Sequence, residues 1–346
     1  MTERFLLVRL GALGDIVHAI PVAAALRRAF PDARVDWLVG AKHRHMVDLV
    51  TAIDQRLIVR DRGGVAGGMS LLSAMRTVRA NGYSVAIDLQ GLVKSAVLAR
   101  ASGSPRVLGF TTKYLREPLA RPFYTEVHDP GGEGIYAPSE TRHVMEINLG
   151  VLRALGVEPG PPEFTIADEP SVVAERMRER SGGAYALLNP GAAWPNKRWP
   201  PDRLAAIATA LRDRHGLASV VLWGPGEREL GEAVAAAAPG AALLTDETTI
   251  VDVVALARHA AVMVSGDTGP THIAAAVGTP VVGIYGPTRP ERNGPWLRAD
   301  VTVSRASVCE CHHLRRCSRA SMCLLDIGVD EVLAAVERRL AAVRHG

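Results

Sequence analysis

The sequence predicts an α/β protein of two domains, each a parallel sheet covered by helices. Three observations carry this. Short Val- and Leu-rich runs alternate with stretches of helical apolar spacing along the chain. One proline-rich stretch near the middle interrupts the alternation. The length of 346 residues suits two domains, since most hold roughly 100–200 residues.

Composition bounds the rest. Hydrophobic residues are 48% and charged residues 22%, globular values that exclude disorder, collagen and a coiled coil. Aromatics are only 5%, so Ala, Val, Leu and Ile must build the cores. Forty Lys and Arg against 36 Asp and Glu leave a net charge of +4. That excess is too mild for coating a nucleic acid and compatible with a phosphorylated partner. The apolar run 5–8 ends at Arg9, too short for a signal peptide, and no stretch approaches a membrane span. The expectation is a soluble cytoplasmic protein that visits a membrane surface.

Taken in order, strands are expected at Phe5–Leu10, Val35–Val39, Leu57–Val59, Ser84–Leu89 and Val107–Phe110. Their near-continuous apolar character fits strands covered on both faces. Helical spacing recurs at Leu71, Leu72, Met75 and Val78, and at Val144, Ile147, Val151 and Leu155. The stretch from Val157 through Pro161, Pro162 and Pro170 cannot continue a helix and reads as the interdomain linker. Domains are therefore expected at 1–160 and 173–327. Beyond the linker, strands fit Ala184–Leu188, Ser219–Trp223, Ala241–Leu244, Ala261–Ser265 and Val281–Tyr285. Leu204, Ile207, Ala208 and Leu211 supply a helical stripe. A final helix, 328–346, shows Val329, Val332, Leu333, Val336, Leu340 and Val343 on one face. Asp330 and Glu331 in its first turn and Arg338 and Arg339 near its end suit the helix dipole.

Two glycine turns carry the chemistry. Gly11-Ala-Leu-Gly14-Asp15 follows the first strand and opens a helix, without a dinucleotide fingerprint. Asp15 is either a helix cap or a carboxylate facing a ligand crevice, where it can act as a general base. The turn Ser265-Gly-Asp267-Thr268-Gly269-Pro-Thr-His272 follows another strand. It offers backbone donors, a hydroxyl and a helix N-terminus to a diphosphate, with His272 about one turn further in. Asp267 repels phosphate, so it holds the loop or faces a sugar hydroxyl. The bland alternative is a tight turn with a capping Asp. Lys197 follows the strand 184–188 and can neutralise phosphate, or is simply solvated. Glu227 follows the strand 219–223 and can accept two hydrogen bonds from a ribose diol, or is an ordinary first-turn Glu.

Together these stretches resemble the bacterial lipopolysaccharide heptosyltransferases, glycosyltransferase family 9. The motifs are Arg9-Leu-Gly-Ala-Leu-Gly-Asp-Ile-Val-His-Ala-Ile-Pro21, Asp88-Leu-Gln-Gly-Leu-Val-Lys-Ser95, Arg116-Glu-Pro-Leu119, Asp267-Thr-Gly-Pro-Thr-His272 and Tyr285-Gly-Pro-Thr288. They are most similar to heptosyltransferase I, which adds the first heptose to Kdo, and span nearly the whole chain. The resemblance implies a GT-B fold: two facing Rossmann-like domains, the active site in their cleft, and the final helix returning to the first domain. It implies inverting, metal-independent transfer of L-glycero-D-manno-heptose from ADP-heptose to a Kdo–lipid A acceptor at the inner membrane. Asp15 would be the base. Lys197, Glu227, Asp267, Thr268, Gly269 and His272 would bind the donor. Gly14, Arg60, Arg62, Lys94, Arg116 and Arg142 would bind the acceptor. Two departures from the family stand out: Ala192 and Ala193 replace hydroxyl residues before Lys197, and the stretch after Arg62 is Gly-rich rather than basic.

Cys309, Cys311, Cys317 and Cys323 fall within fifteen residues around His312 and His313. In a reducing compartment they suggest a structural zinc or iron site, or four reduced thiols without metal. A similar cluster occurs in some heptosyltransferase II-like relatives. Alternatives to the type I transfer are a heptosyltransferase II-like or other family 9 acceptor, a GT-B nucleotide-sugar epimerase, and a non-catalytic binding module. The acceptor-side motifs oppose the epimerase, because it needs no second substrate, and intact donor loops with Asp15 oppose the binding module.

Overall fold

The computed structural model describes residues 2–60, 64–137, 139–309, 311, 314–317 and 321–344. The chain divides into two compact units with the boundary between Ala167 and Asp168.

The first unit contains strands β1 (Arg4–Val8), β2 (Arg34–Gly40), β3 (Gln55–Val59), β4 (Val85–Asp88), β5 (Arg106–Phe110) and β6 (Glu126–His128). Helices α1 (Leu13–Val17), α2 (Ile20–Ala29), α3 (Arg44–Asp48), α4 (Gly64–Ala80), α5 (Val93–Ala101) and α6 (Val144–Gly150) connect or follow them. The sheet order is β3-β2-β1-β4-β5-β6, and every pairing is parallel. β1 is central, and Phe5, Leu6, Leu7 and Val8 are all buried. That explains why the strand is an unbroken apolar run: both of its faces lie under helices. The unit extends past the expected limit of 160. Thr51 N donates to Thr165 O and Ala167 N to Leu49 O, each at 2.8 Å, which ties the linker's last residues to the region of α3.

The second unit begins with α7 (Val172–Ser181). Its strands are β7 (Tyr185–Asn189), β8 (Ala218–Val221), β9 (Ala242–Leu244), β10 (Ala260–Gly266), β11 (Val281–Tyr285) and β12 (Val301–Ser304). The remaining helices are α8 (Pro201–His215), α9 (Arg228–Ala237), α10 (Ile250–His259), α11 (Gly269–Ala276), α12 (Pro290–Asn293) and α13 (Val329–Arg344). The sheet order is β12-β11-β10-β7-β8-β9, again all parallel. Counted from each unit's own first strand, both sheets have the order 3-2-1-4-5-6, the dinucleotide-fold arrangement. The order reverses between β1 and β4 in one unit and between β7 and β10 in the other. Ligands of such sheets bind beyond the strand C-termini at that reversal.

Three sequence expectations change. β6 and β12 were not anticipated: they are short edge strands, of which β6 is only half-buried, so neither has a continuous apolar run. Val343 and Leu72, placed on apolar stripes, are about half exposed, at 50% and 55%. The final helix, expected to return to the first domain, belongs to the second unit. Its Val332, Leu333, Ala335 and Val336 are buried in one core with Leu204, Ala208, Val282 and Ile284. Its Arg339 Nε donates to Asp300 Oδ1 at 2.8 Å, with both side chains buried. The apolar face is thus used on the second sheet. Among the described residues, no helix is long and apolar enough to cross a membrane.

Candidate active site

The first cluster lies at the strand reversal of the first unit. The chain leaves β1 through Arg9 and the turn 10–12, then enters α1. Asp15 occupies the third position of that helix, and its Oδ2 accepts from Ala12 N at 3.2 Å. The capping role is therefore met, and the carboxylate has two further partners. Arg9 Nη2 lies 2.8 Å from Oδ1 and Arg116 Nη2 lies 2.7 Å from Oδ2. Burial pushes the Asp15 pKa up, but attraction to Arg9 and Arg116, with a smaller contribution from His18, outweighs it. The carboxyl is held well below the usual carboxylate range.

Arg9 is itself buried and donates to Leu89 O. Asp88, at the end of β4, is fully buried and accepts from Gln90 N at 2.8 Å, Ser95 Oγ at 2.8 Å and Tyr124 OH at 2.7 Å. Its pKa is raised by burial, which those hydrogen bonds only partly oppose. Gln90 Oε1 in turn accepts from Leu10 N at 2.9 Å and Gly11 N at 3.3 Å. The loop after β4 thereby braces the turn after β1 across the reversal. A Cβ at Gly11 would come within 2.8 Å of the His43 ring, so a larger residue there needs that ring to move.

The acceptor candidates are spread along this unit. Gly14 lies in α1, and its carbonyl accepts from His18 N at 3.0 Å. Lys94 is the second residue of α5. Arg116 touches Asp15. Arg60 is exposed just beyond β3, and its carbonyl accepts from Ser70 Oγ at 2.6 Å. Arg142 forms a separate group: its Nη1 lies 3.2 Å from Tyr114 OH and 3.5 Å from Glu140 Oε2. Arg62 lies outside the described residues.

The second cluster lies at the reversal of the second unit. Lys197 Nζ is 2.6 Å from Asp267 Oδ2 and sits 4.5 Å from the centre of the Trp194 ring. His272 Nε2 is 3.0 Å from Asp267 Oδ1. Burial opposes the Asp267 charge, but hydrogen bonding to His272 and the nearby Lys197 hold its pKa well below the usual range. Asp267 therefore joins two loops and one helix. Thr268 Oγ1 accepts from Asn189 Nδ2 at 3.1 Å and lies 3.0 Å from Thr271 Oγ1. Gly269 opens α11. Glu227 precedes α9, with Arg198 Nη2 at 3.6 Å. Its carboxylate fills the space over Gly191, where a Cβ would come within 2.0 Å of Oε2.

Sequence reasoning passed over Arg9, Gln90, Asn189 and Trp194 as site residues. Arg9 left a signal, being the charge that ends the apolar run of β1. Gln90 lies within the 88–95 motif and Trp194 three residues before Lys197, but the contacts of Gln90 and Asn189 join loops distant in sequence.

The cysteines gather on one another. Cys309, Cys311 and Cys323 are buried together with Cys317 packed against them, and the Cys309 and Cys311 sulfurs are 3.2 Å apart. Burial and the neighbouring Cys309 and Cys317 thiols push the Cys311 thiol up to about 12. Asn196 Nδ2, next to Lys197, donates to Leu314 O at 3.0 Å. Among the described residues, no group of three or more His, Cys, Asp or Glu side chains is set to hold a metal ion.

Residues 71–322 match the family model described as glycosyltransferase family 9 (heptosyltransferase). The chain is 28% identical over 317 residues to lipopolysaccharide heptosyltransferase 1 of Pseudomonas aeruginosa, covering 88% of this chain and 85% of that protein. A glycosyltransferase family 9 structure from Veillonella parvula superposes with a TM-score of 0.82 at 23% identity, covering 98% of each chain. The E. coli heptosyltransferase WaaC, solved with ADP, gives a TM-score of 0.77 at 22% identity, covering 97% of this chain and 100% of that one. The fold is thus the GT-B fold of those enzymes.

Proposed function

Because this chain belongs to glycosyltransferase family 9, the heptosyltransferases of lipopolysaccharide core assembly, we propose that it transfers L-glycero-D-manno-heptose from ADP-heptose to the Kdo of a lipid A acceptor. Asp15 takes the proton of the acceptor hydroxyl as that oxygen attacks C1. The C1–oxygen bond to the diphosphate breaks on the opposite side, the electron pair leaves with ADP, and the anomeric centre inverts. Positive charge develops on the sugar ring in such a transition state. The leaving diphosphate is met by Lys197, Thr268 and the amides that open α11 at Gly269. Catalysis needs no metal. The protein works at the inner-membrane surface, where its acceptor is anchored.

One observation carries the base assignment. Asp15 is the carboxylate in the first turn of α1, in the connection that leaves β1 beside the strand reversal. The type I acceptor is favoured over a type II acceptor by the resemblance of 88–95 and 116–119. Mass spectrometry of a reaction with ADP-heptose and Kdo–lipid A tests the reading. A product heavier by one heptose supports it, whereas hydrolysis of the donor without transfer, or epimerisation, overturns it.

We also propose a structural zinc or iron at Cys309, Cys311, Cys317 and Cys323. What supports it is the gathering of four thiols, three of them buried and Cys317 packed against them; a metal would have to draw the sulfurs into a tetrahedron. It takes no part in the reaction. Elemental analysis giving one metal per chain supports it, and a stoichiometry near zero removes it.

A further inference from the structure

We infer that Arg116 is a substrate-operated clamp on Asp15: an acceptor bearing a carboxylate beside its reacting hydroxyl draws Arg116 away and so frees the base. The inference rests on the transfer proposed above and adds a rule of acceptor specificity to it.

Asp15 is held on both oxygens. Arg9 occupies Oδ1, while Arg116 and Ala12 N share Oδ2. A general base needs a lone pair within about 2.6–3.2 Å of the proton it takes. Oδ2 already holds two donors, so it offers one only when Arg116 or the Ala12 amide lets go. A carboxylate held this far below its ordinary pKa is also a poor proton acceptor.

The two arginines differ in their freedom to leave. The Arg9 side chain is 4% exposed and also donates to Leu89 O. Withdrawing it would strand a buried charge. The Arg116 side chain is 34% exposed. Its loop is anchored by backbone instead: Glu117 N donates to Gly91 O at 3.0 Å. The guanidinium can therefore change partners while its backbone stays in place.

Exchange suits a carboxylate ligand. Arg116 gives up one carboxylate and gains another, so its own charge remains paired. A neutral acceptor offers no such replacement and leaves the clamp closed. Once released, Asp15 keeps Arg9 and the Ala12 amide, which hold its orientation. The other titratable groups facing it are His18, beyond α1, and half-buried His43, whose pKa is lowered by burial and by Lys42. Neither ring carries the permanent positive charge of a guanidinium. With one cation fewer, Asp15 becomes more basic as the hydroxyl arrives.

The test compares a Kdo–lipid A acceptor with its Kdo carboxamide, using wild type and Arg116→Gln. In wild type, kcat on the carboxamide should fall by about 100-fold or more, the range that general-base catalysis supplies. In Arg116→Gln, kcat on the two acceptors should converge, and the carboxamide should react faster than it does with wild type. The acid limb of kcat/KM should move to higher pH in the variant. If wild type shows equal kcat on both acceptors and differs only in KM, Arg116 merely binds substrate and the clamp is overturned. Equal loss of kcat on both acceptors in the variant overturns it as well. The wild-type ratio needs no variant, so it decides even if Arg116→Gln fails to fold. A wild type that transfers no heptose to the carboxylate acceptor overturns the parent reading instead.

Discussion

Lys197 Nζ lies 2.6 Å from Asp267 Oδ2, joining the loop after β7 to the loop after β10 at the strand reversal of the second unit. The other oxygen of Asp267 is held by His272 at 3.0 Å. A diphosphate that recruits Lys197 must compete with Asp267, which would keep His272. The expected consequence is a lysine whose loss weakens nucleotide binding and also loosens the loop. Lys197→Met should raise the Kd for ADP by roughly tenfold to a hundredfold, as for one lost charge-assisted hydrogen bond. Isothermal titration calorimetry measures this. Unchanged affinity would remove Lys197 from the donor site.

Acid should destabilise the protein through the same carboxylates. Asp15 and Asp267 both have folded-state pKa values held far below an unfolded Asp, which titrates near about 3.9. Their contribution is therefore complete well above that value and is lost progressively as pH falls from it toward the lower folded-state values. Asp267→Asn should flatten the acid decline in stability by up to about 1.4 kcal/mol per pH unit, one proton's worth. Denaturation curves between pH 3 and about 6 test this. An unaltered slope would show that Asp267 does not titrate with folding.

Removing one partner of a buried pair costs more than removing an exposed one. Arg9→Leu should destabilise the first unit by about 3–5 kcal/mol, because Asp15 loses its buried cation and Leu89 O its donor. Arg116→Gln should cost about 1 kcal/mol or less, since its side chain reaches solvent. Urea unfolding of the two variants gives the comparison. Equal costs would contradict the distinction between a fixed and a releasable arginine.

Gly266 permits the close approach of the donor loops. A Cβ there would sit 2.7 Å from Lys197 O, a backbone atom that cannot step aside like a side chain. Gly266→Ala should lower the melting temperature and weaken ADP binding together. A variant with wild-type melting and wild-type affinity would show that the loops can part without cost.

Much of this was legible in the residues. β1, β7, β10 and β11 are buried on both faces, and their apolar runs announce them. Both glycine turns sit where a strand ends and a helix begins. The relation of Arg116 to Asp15 spans 101 residues and has no local pattern to reveal it. The motif around Arg116 suggested an acceptor contact, not a partner for the base. Arg142 is a further example: its Tyr114 and Glu140 contacts come from tertiary packing. The final helix showed its apolar stripe clearly, but periodicity does not say which sheet receives it.

The central claim, that Asp15 is the base in a heptosyl transfer, is tested most directly by Asp15→Ala. Transfer from ADP-heptose to Kdo–lipid A, followed by mass spectrometry, should give the heptose-bearing product with wild type and none with the variant. ADP affinity should be the same in both. Full product formation by Asp15→Ala would contradict the account.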